Sequence, residues 1–129
     1  MPDSFRLLLT AIAIAENAIV YNFTQRLVKA NCICSEDWRR EAITLMTVFN
    51  FVALMVGILQ EGPPPSSYVF ILGLYSIAYF FIVLTYTHGL WNKGCKCSEG
   101  LDRTWIYITR VVDLTMFLSI FVLVLLLKK

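Results

Sequence analysis

An all-α fold, a bundle of four membrane-spanning helices arranged as two helical hairpins, is expected for this chain on three grounds. The first is the grouping of apolar residues. Ala42 to Leu59 and Tyr68 to Trp91 carry no formal charge, and Leu7 to Val20 and Ile106 to Leu127 carry very few. A spanning helix needs about 20 such residues to cross about 30 Å of hydrocarbon. The second is composition: 58% hydrophobic and 16% charged residues are too apolar a mixture for an ordinary soluble domain. The third is an internal echo. Cys32-Ile33-Cys34-Ser35-Glu36 returns sixty-three positions later as Cys95-Lys96-Cys97-Ser98-Glu99, and Leu27 and Arg40 match Leu90 and Arg103 at the same offset. Each copy lies between two apolar segments, so the unit reads as helix, polar hinge, helix, used twice as a pseudo-repeat.

The 129 residues form one domain by size, with spans at about 5–28, 38–60, 68–91 and 103–127. The hinges cover 29–37 and 92–102, and a proline-rich loop covers 61–67. A net charge of +2 without a long basic run gives no ground for nucleic-acid binding. Met1-Pro2-Asp3 lacks the basic start of a secretory signal, so helix 1 is expected to be retained.

Helix 1 is expected to start on Ser4 as N-cap and to end with Arg26 and Lys29, which suit a helix C-terminus. Its small-residue face Ala11, Ala15, Ala18, Asn22 reads as a packing seam, because small side chains let helices approach closely in lipid. Ser35 and Ser98 are the expected N-caps of helices 2 and 4, each followed by acidic residues. Helix 2 carries Asn50, Ala53 and Gly57 along one face. Pro63, Pro64 and Pro65 cannot continue it, since proline lacks the amide donor and fixes φ. Helix 3 is aromatic-rich, and helix 4 closes on Lys128-Lys129. Trp38, Trp91 and Trp105 fall near the hinges, as interface anchors do.

Four spans place both hinges on one side of the membrane, and the termini with the proline loop on the other. The hinge side carries Arg26, Lys29, Arg39, Arg40, Lys93, Lys96 and Arg103, against Arg6, Lys128 and Lys129 opposite. By the positive-inside bias the hinges are expected to face the cytosol.

All four cysteines lie in the hinges, and three states are open to them. Cys32, Cys34, Cys95 and Cys97 can form disulfides, remain free thiols, or hold a tetrahedral zinc ion. A bridge within one Cys-x-Cys is strained, so any disulfides should cross between hinges. Metal binding is not the favoured state, because zinc ligands are more often separated by two or more residues. Four-helix oxidoreductases of the vitamin K epoxide reductase type use a Cys-x-x-Cys pair, a spacing absent here. No enzyme activity and no cofactor are expected.

Within the spans, Glu16, Asn50 and Asp113 each lie sixteen positions from a hinge cysteine, and Tyr79 is equally far from Cys95. Regular helices bring these four into one layer. Arg110 can pair with Asp113 at i, i+3 or reach Glu16 on another helix. Charges at such depth face the bundle interior. The layer sets helix orientation, or else serves a small ion or proton channel. Asn22-Phe23-Thr24 has the glycosylation sequon but falls within a helix, and is read as chance.

The string Cys32-Ile33-Cys34-Ser35-Glu36-Asp37-Trp38-Arg39-Arg40 resembles a C-x-C-S-x-D-W-R-R pattern that joins two hydrophobic helices in small membrane proteins of large nucleocytoplasmic DNA viruses. The second hinge keeps Cys95, Cys97, Ser98, Glu99 and Arg103 but not the Asp-Trp. The resemblance implies a structural component of a viral inner membrane beneath an icosahedral capsid, with minor capsid proteins as partners. It also implies access to viral sulfhydryl oxidases, which reconciles cytosol-facing hinges with disulfides. On that reading Trp38, Arg39, Arg40, Lys96 and Arg103 contact the partner or anionic headgroups. The sequence leaves a homo-oligomer open.

Overall fold

A computed structural model describes residues 3–60, 62 and 65–128. It contains α1 (Asp3–Lys29), α2 (Trp38–Leu59), α3 (Ser66–Asn92) and α4 (Leu101–Leu127), with a 3₁₀ turn in each hinge at Ile33–Ser35 and Lys96–Ser98. All four helices are long and apolar enough to cross a membrane, and there is no strand among the described residues. The expected all-α, four-span architecture is therefore borne out. At about 1.5 Å per residue, a 27-residue helix is about 40 Å long, so α1, α3 and α4 outreach the hydrocarbon or tilt within it. Ser66 and Ser67 belong to α3 rather than to the proline-rich loop, because Pro65 at the cap position already sets the extended backbone that precedes a first turn. Glu61, Pro63 and Pro64 lie outside the described residues. Helix α1 is already formed at Asp3, which puts Ser4 inside its first turn rather than at its cap.

Both hinges are built from one set of bonds. Helix α1 ends in a left-handed residue, Asn31 at φ 50°, and α3 ends in Gly94 at φ 63°. Glycine adopts this conformation without a Cβ penalty, and asparagine is the side chain that tolerates it next best. The Asn31 amide then donates to Val28 and the Cys32 amide to Leu27; Gly94 and Cys95 repeat this on Trp91 and Leu90. That is a Schellman motif, and it tucks the first cysteine of each hinge against the helix it has just left. Cys32 and Cys95 are both 2% exposed.

The expected N-cap role of Ser35 and Ser98 is corrected. Each hydroxyl instead donates back to the first cysteine's carbonyl, at 2.6 Å in both hinges, and accepts from Arg40 or Arg103 five residues on. Two extended residues intervene before the helix begins, which carries these serines out of reach of its first amides. Asp37 caps α2, with Oδ1 accepting from the Arg39 amide at 3.0 Å. Gly100 precedes α4 without a side-chain cap.

Asp37→Ala is expected to destabilise the bundle by about 1 kcal/mol, read from the denaturation midpoint in mixed micelles. Its hydrogen bonds from the Arg39 side chain and amide hold the Asp37 carboxyl below its ordinary value of 3.8. A depressed carboxylate adds stability that is complete above that ordinary value and is lost as pH falls toward the folded-state value. The difference between wild type and Asp37→Ala should therefore shrink below about pH 4 and stay constant above it.

The core sits in the hinge-proximal half. Val20, Phe23, Thr24 and Leu27 of α1, Ile43 and Thr47 of α2, Val83, Tyr86, Thr87 and Leu90 of α3, and Ile106 of α4 are all at most 2% exposed. Beyond them toward the termini and the α2–α3 link, the described residues of the four helices are mostly lipid-accessible. The seam expected from small residues is also corrected. Ala11, Ala15 and Asn22 are exposed, and α1 packs instead through Asn17, Val20, Thr24 and Leu27. Larger side chains won because they fill the interhelical space, whereas alanines alone leave it empty. Within the sequon, Asn22 is exposed and Thr24 is fully buried, and both lie inside α1.

Candidate functional site

Two constructions stand out, one in the hinges and one in the membrane. In the hinges the four cysteines form two crossed disulfides, Cys32–Cys97 and Cys34–Cys95, each with Cα atoms 5.8 Å apart. Each bridge joins a buried sulfur to an exposed one, since Cys34 and Cys97 reach the surface. Polar bonds reinforce the junction. Arg26 at the end of α1 makes a two-pronged pair with Asp102 of α4, at 3.0 and 2.9 Å, and its guanidinium also donates to the Cys97 and Ser98 carbonyls. From the other hairpin, the Tyr86 hydroxyl donates to the Ser35 carbonyl at 2.7 Å.

Of the residues expected to face a partner, Trp38 is 68% exposed and Lys96 is also exposed. The three arginines are engaged within the chain. Arg39 pairs with Asp37 and lies over the Tyr86 ring. Arg40 and Arg103 brace the hinge serines. His88 stacks on Tyr107 and bonds Asn92 near the hinge end of α3.

The intramembrane layer separates into two linked clusters. Arg110 lies between Glu16, at 3.1 Å, and Asp113, at 3.6 Å, with its side chain only 3% exposed. Its guanidinium also lies against the Tyr79 and Phe80 rings. Asn50 donates to Asn17 at 2.9 Å, and the Tyr79 hydroxyl meets Thr47 at 3.0 Å and Asn17 at 3.5 Å. Asn17 and Thr47 were missed in the sequence. Asn17 had a signal, as a carboxamide beside Glu16 in an apolar helix, but Thr47 had none, because threonine bonds its own helix backbone in any span. Asn17→Leu is expected to cost about 1 kcal/mol by leaving the Asn50 amide without its acceptor. The drop in denaturation midpoint should disappear when Asn50→Leu is added.

A cavity of about 270 Å³ opens beside this layer, with Glu16, Asn17, Asn50, Tyr79 and Arg110 in its wall. Ala53 and Leu72 also line the next cavity, which reaches Arg6 and Gly57 near the α2–α3 link. Toward the hinges the interior is closed by Val20, Phe23, Ile43, Val83, Tyr86 and Ile106. The polar cavity is thus closed on its hinge side by packed side chains and shares Ala53 and Leu72 with the cavity nearer the α2–α3 link.

No family model matches the chain, and neither a curated protein nor a solved structure is similar to it. Fold and sites together define a multi-pass membrane protein whose two helical hairpins are stapled by disulfides at one end of the bundle.

Proposed function

We propose that the protein is a structural component of a viral inner membrane, fixing the bilayer to a capsid layer through its hinge end. The observation that carries this reading is the construction of that end. Two disulfides, the Arg26–Asp102 pair and the Tyr86–Ser35 bond all tie one hairpin to the other. Such crosslinking makes a stiff platform, which suits load-bearing contact better than catalysis needing moving parts. Large apolar side chains stand exposed on it: Ile33 at 78%, Leu101 at 91% and Trp38 at 68%. Those nearest the bilayer anchor at the interface, and Ile33 and Lys96, at the middle of each Cys-x-Cys, are placed to meet a protein partner. The hinges would face the cytosol-derived side, where the basic residues concentrate.

The test is quantitative mass spectrometry of protease-stripped particles of a large nucleocytoplasmic DNA virus that encodes this chain. A high, fixed ratio to the capsid proteins, with crosslinks from Lys96 to one of them, supports the reading. Confinement of the chain to infected-cell membranes would sink it and bring forward the small-channel reading. For that alternative the polar-lined cavity is the favouring observation and the packed core on its hinge side is the obstacle, because a single chain then offers no continuous water path. Conductance in planar bilayers that vanishes on Asp113→Asn would establish the channel.

A further inference from the structure

We propose that the hinge end has a second state: with both disulfides reduced, Cys32, Cys34, Cys95 and Cys97 form a tetrahedral four-thiolate site for one zinc ion. The argument begins with distances between sulfurs that are not bonded to each other. Cys32 and Cys34 are 3.8 Å apart, and Cys95 and Cys97 are also 3.8 Å apart. Across the hinges Cys32 and Cys95 are separated by 3.6 Å, and Cys34 and Cys97 by 3.4 Å. A zinc ion with Zn–S bonds of about 2.3 Å sets its ligand sulfurs about 3.8 Å apart along every edge of the tetrahedron. Four of the six edges therefore already lie near tetrahedral length. The remaining two are the disulfide bonds, and cleaving them frees those pairs to separate to the same distance. All four sulfurs already lie within 4.8 Å of one another, so one ion can reach all of them once the bonded pairs part.

The surroundings suit an anion. Four thiolates and Zn²⁺ carry a net charge of about −2. Arg26 donates to the Cys97 carbonyl, and Arg103 to the Cys95 carbonyl. Arg40 and Arg103 each also keep a buried Nε without an acceptor, at matching positions of the two hinges. These guanidinium groups bring positive charge to the hinges that would carry the anionic cluster. Disulfide and zinc states also hold the two hairpins by the same four atoms, so the platform survives the exchange.

The chemistry balances with a dithiol as reductant. A thiolate of the dithiol attacks an exposed sulfur, Cys97 in one bridge and Cys34 in the other, and the buried partner leaves as a thiolate. The dithiol's second thiol then displaces the exposed sulfur, and the reductant departs as a cyclic disulfide. Two dithiols yield four cysteine thiols, and zinc binding releases four protons to solvent.

The test uses the full chain in lipid nanodiscs, reduced anaerobically with a water-soluble phosphine and then titrated with Zn²⁺ or Co²⁺. The expected result is one metal per reduced chain and none per oxidised chain. Cobalt should give the visible spectrum of tetrahedral thiolate coordination, and bound zinc should protect all four cysteines from alkylation. Cys34→Ser should weaken the metal by more than the about tenfold to hundredfold typical of outer-shell changes. Three results would each overturn the proposal: a reduced, still helical chain that takes up no metal; a Cys34→Ser/Cys97→Ser chain that binds as tightly as wild type; or a reduced chain that loses helicity which zinc does not restore.

Discussion

Removing both disulfides, with Cys32, Cys34, Cys95 and Cys97 all changed to alanine, is expected to destabilise the bundle by about 6 kcal/mol, against about 2 kcal/mol for either bridge alone. The asymmetry follows from loop sizes. The first bridge to form joins residues 61 or 65 positions apart, which in the chain-entropy account restricts the denatured state by about 4 kcal/mol. Once it exists, the second closes only the small ring through the two Cys-x-Cys segments, a restriction of about 2 kcal/mol. Each bridge therefore backs up the other. In a bilayer the denatured chain keeps its spanning helices, so these figures are upper values, but the direction of non-additivity is unaffected. Detergent-induced denaturation of Cys32→Ala/Cys97→Ala, Cys34→Ala/Cys95→Ala and the quadruple variant in mixed micelles measures all three terms. A quadruple variant no worse than the sum of the two pairs would show that the bridges do not restrain the same separation.

The parts of this architecture that sequence made legible are those with a strong one-dimensional signature. Uncharged runs such as Ala42 to Leu59 can satisfy their backbone in lipid only as helices, so span number and approximate bounds follow directly. The Cys-x-Cys pairs, too short to bridge internally without strain, pointed across the hinges. The crossed pairing of Cys32 with Cys97 was not legible, because it depends on how the two Schellman motifs orient their cysteines in space. Helix starts were misread for a related reason. Ser35 and Ser98 have good capping chemistry, but Glu36-Asp37 and Glu99-Gly100 run extended after them, and only Asp37 meets free helix amides. The alanine stripe of α1 failed because composition alone does not say which side of a helix its neighbours occupy. In the polar layer, Glu16, Asn50, Tyr79, Arg110 and Asp113 were selected by depth, whereas their division into a charged and an amide cluster depends on helix rotation.

Arg110→Met should be the most damaging single substitution within the spans, at about 3–5 kcal/mol, although it exchanges a charged residue for an apolar one of similar length. Hydropathy alone argues the opposite, since methionine is far better suited to a bilayer. The structure decides the sign. Arg110 is the one guanidinium between the Glu16 and Asp113 carboxylates, so the ionised cluster sums to −1 with it and −2 without it. Removing the cation leaves two carboxylates on facing helices with no nearby compensating charge, and one of them must take up a proton or draw water into the recess beside it. Glu16→Gln removes the contact without stranding a charge, because Arg110 keeps Asp113 as its partner, and is expected to cost about 1 kcal/mol. The combination Glu16→Gln/Arg110→Met/Asp113→Asn, with every charge gone, should recover to within about 1 kcal/mol of wild type. Denaturation of the four proteins in mixed micelles at neutral pH is the measurement. Recovery in the triple variant would mean that the cluster orients the helices rather than supplying net stability. Equal, small losses for Arg110→Met and Glu16→Gln would mean that the carboxylates are already protonated in the bundle, and the layer would then be a store of protons rather than a salt bridge.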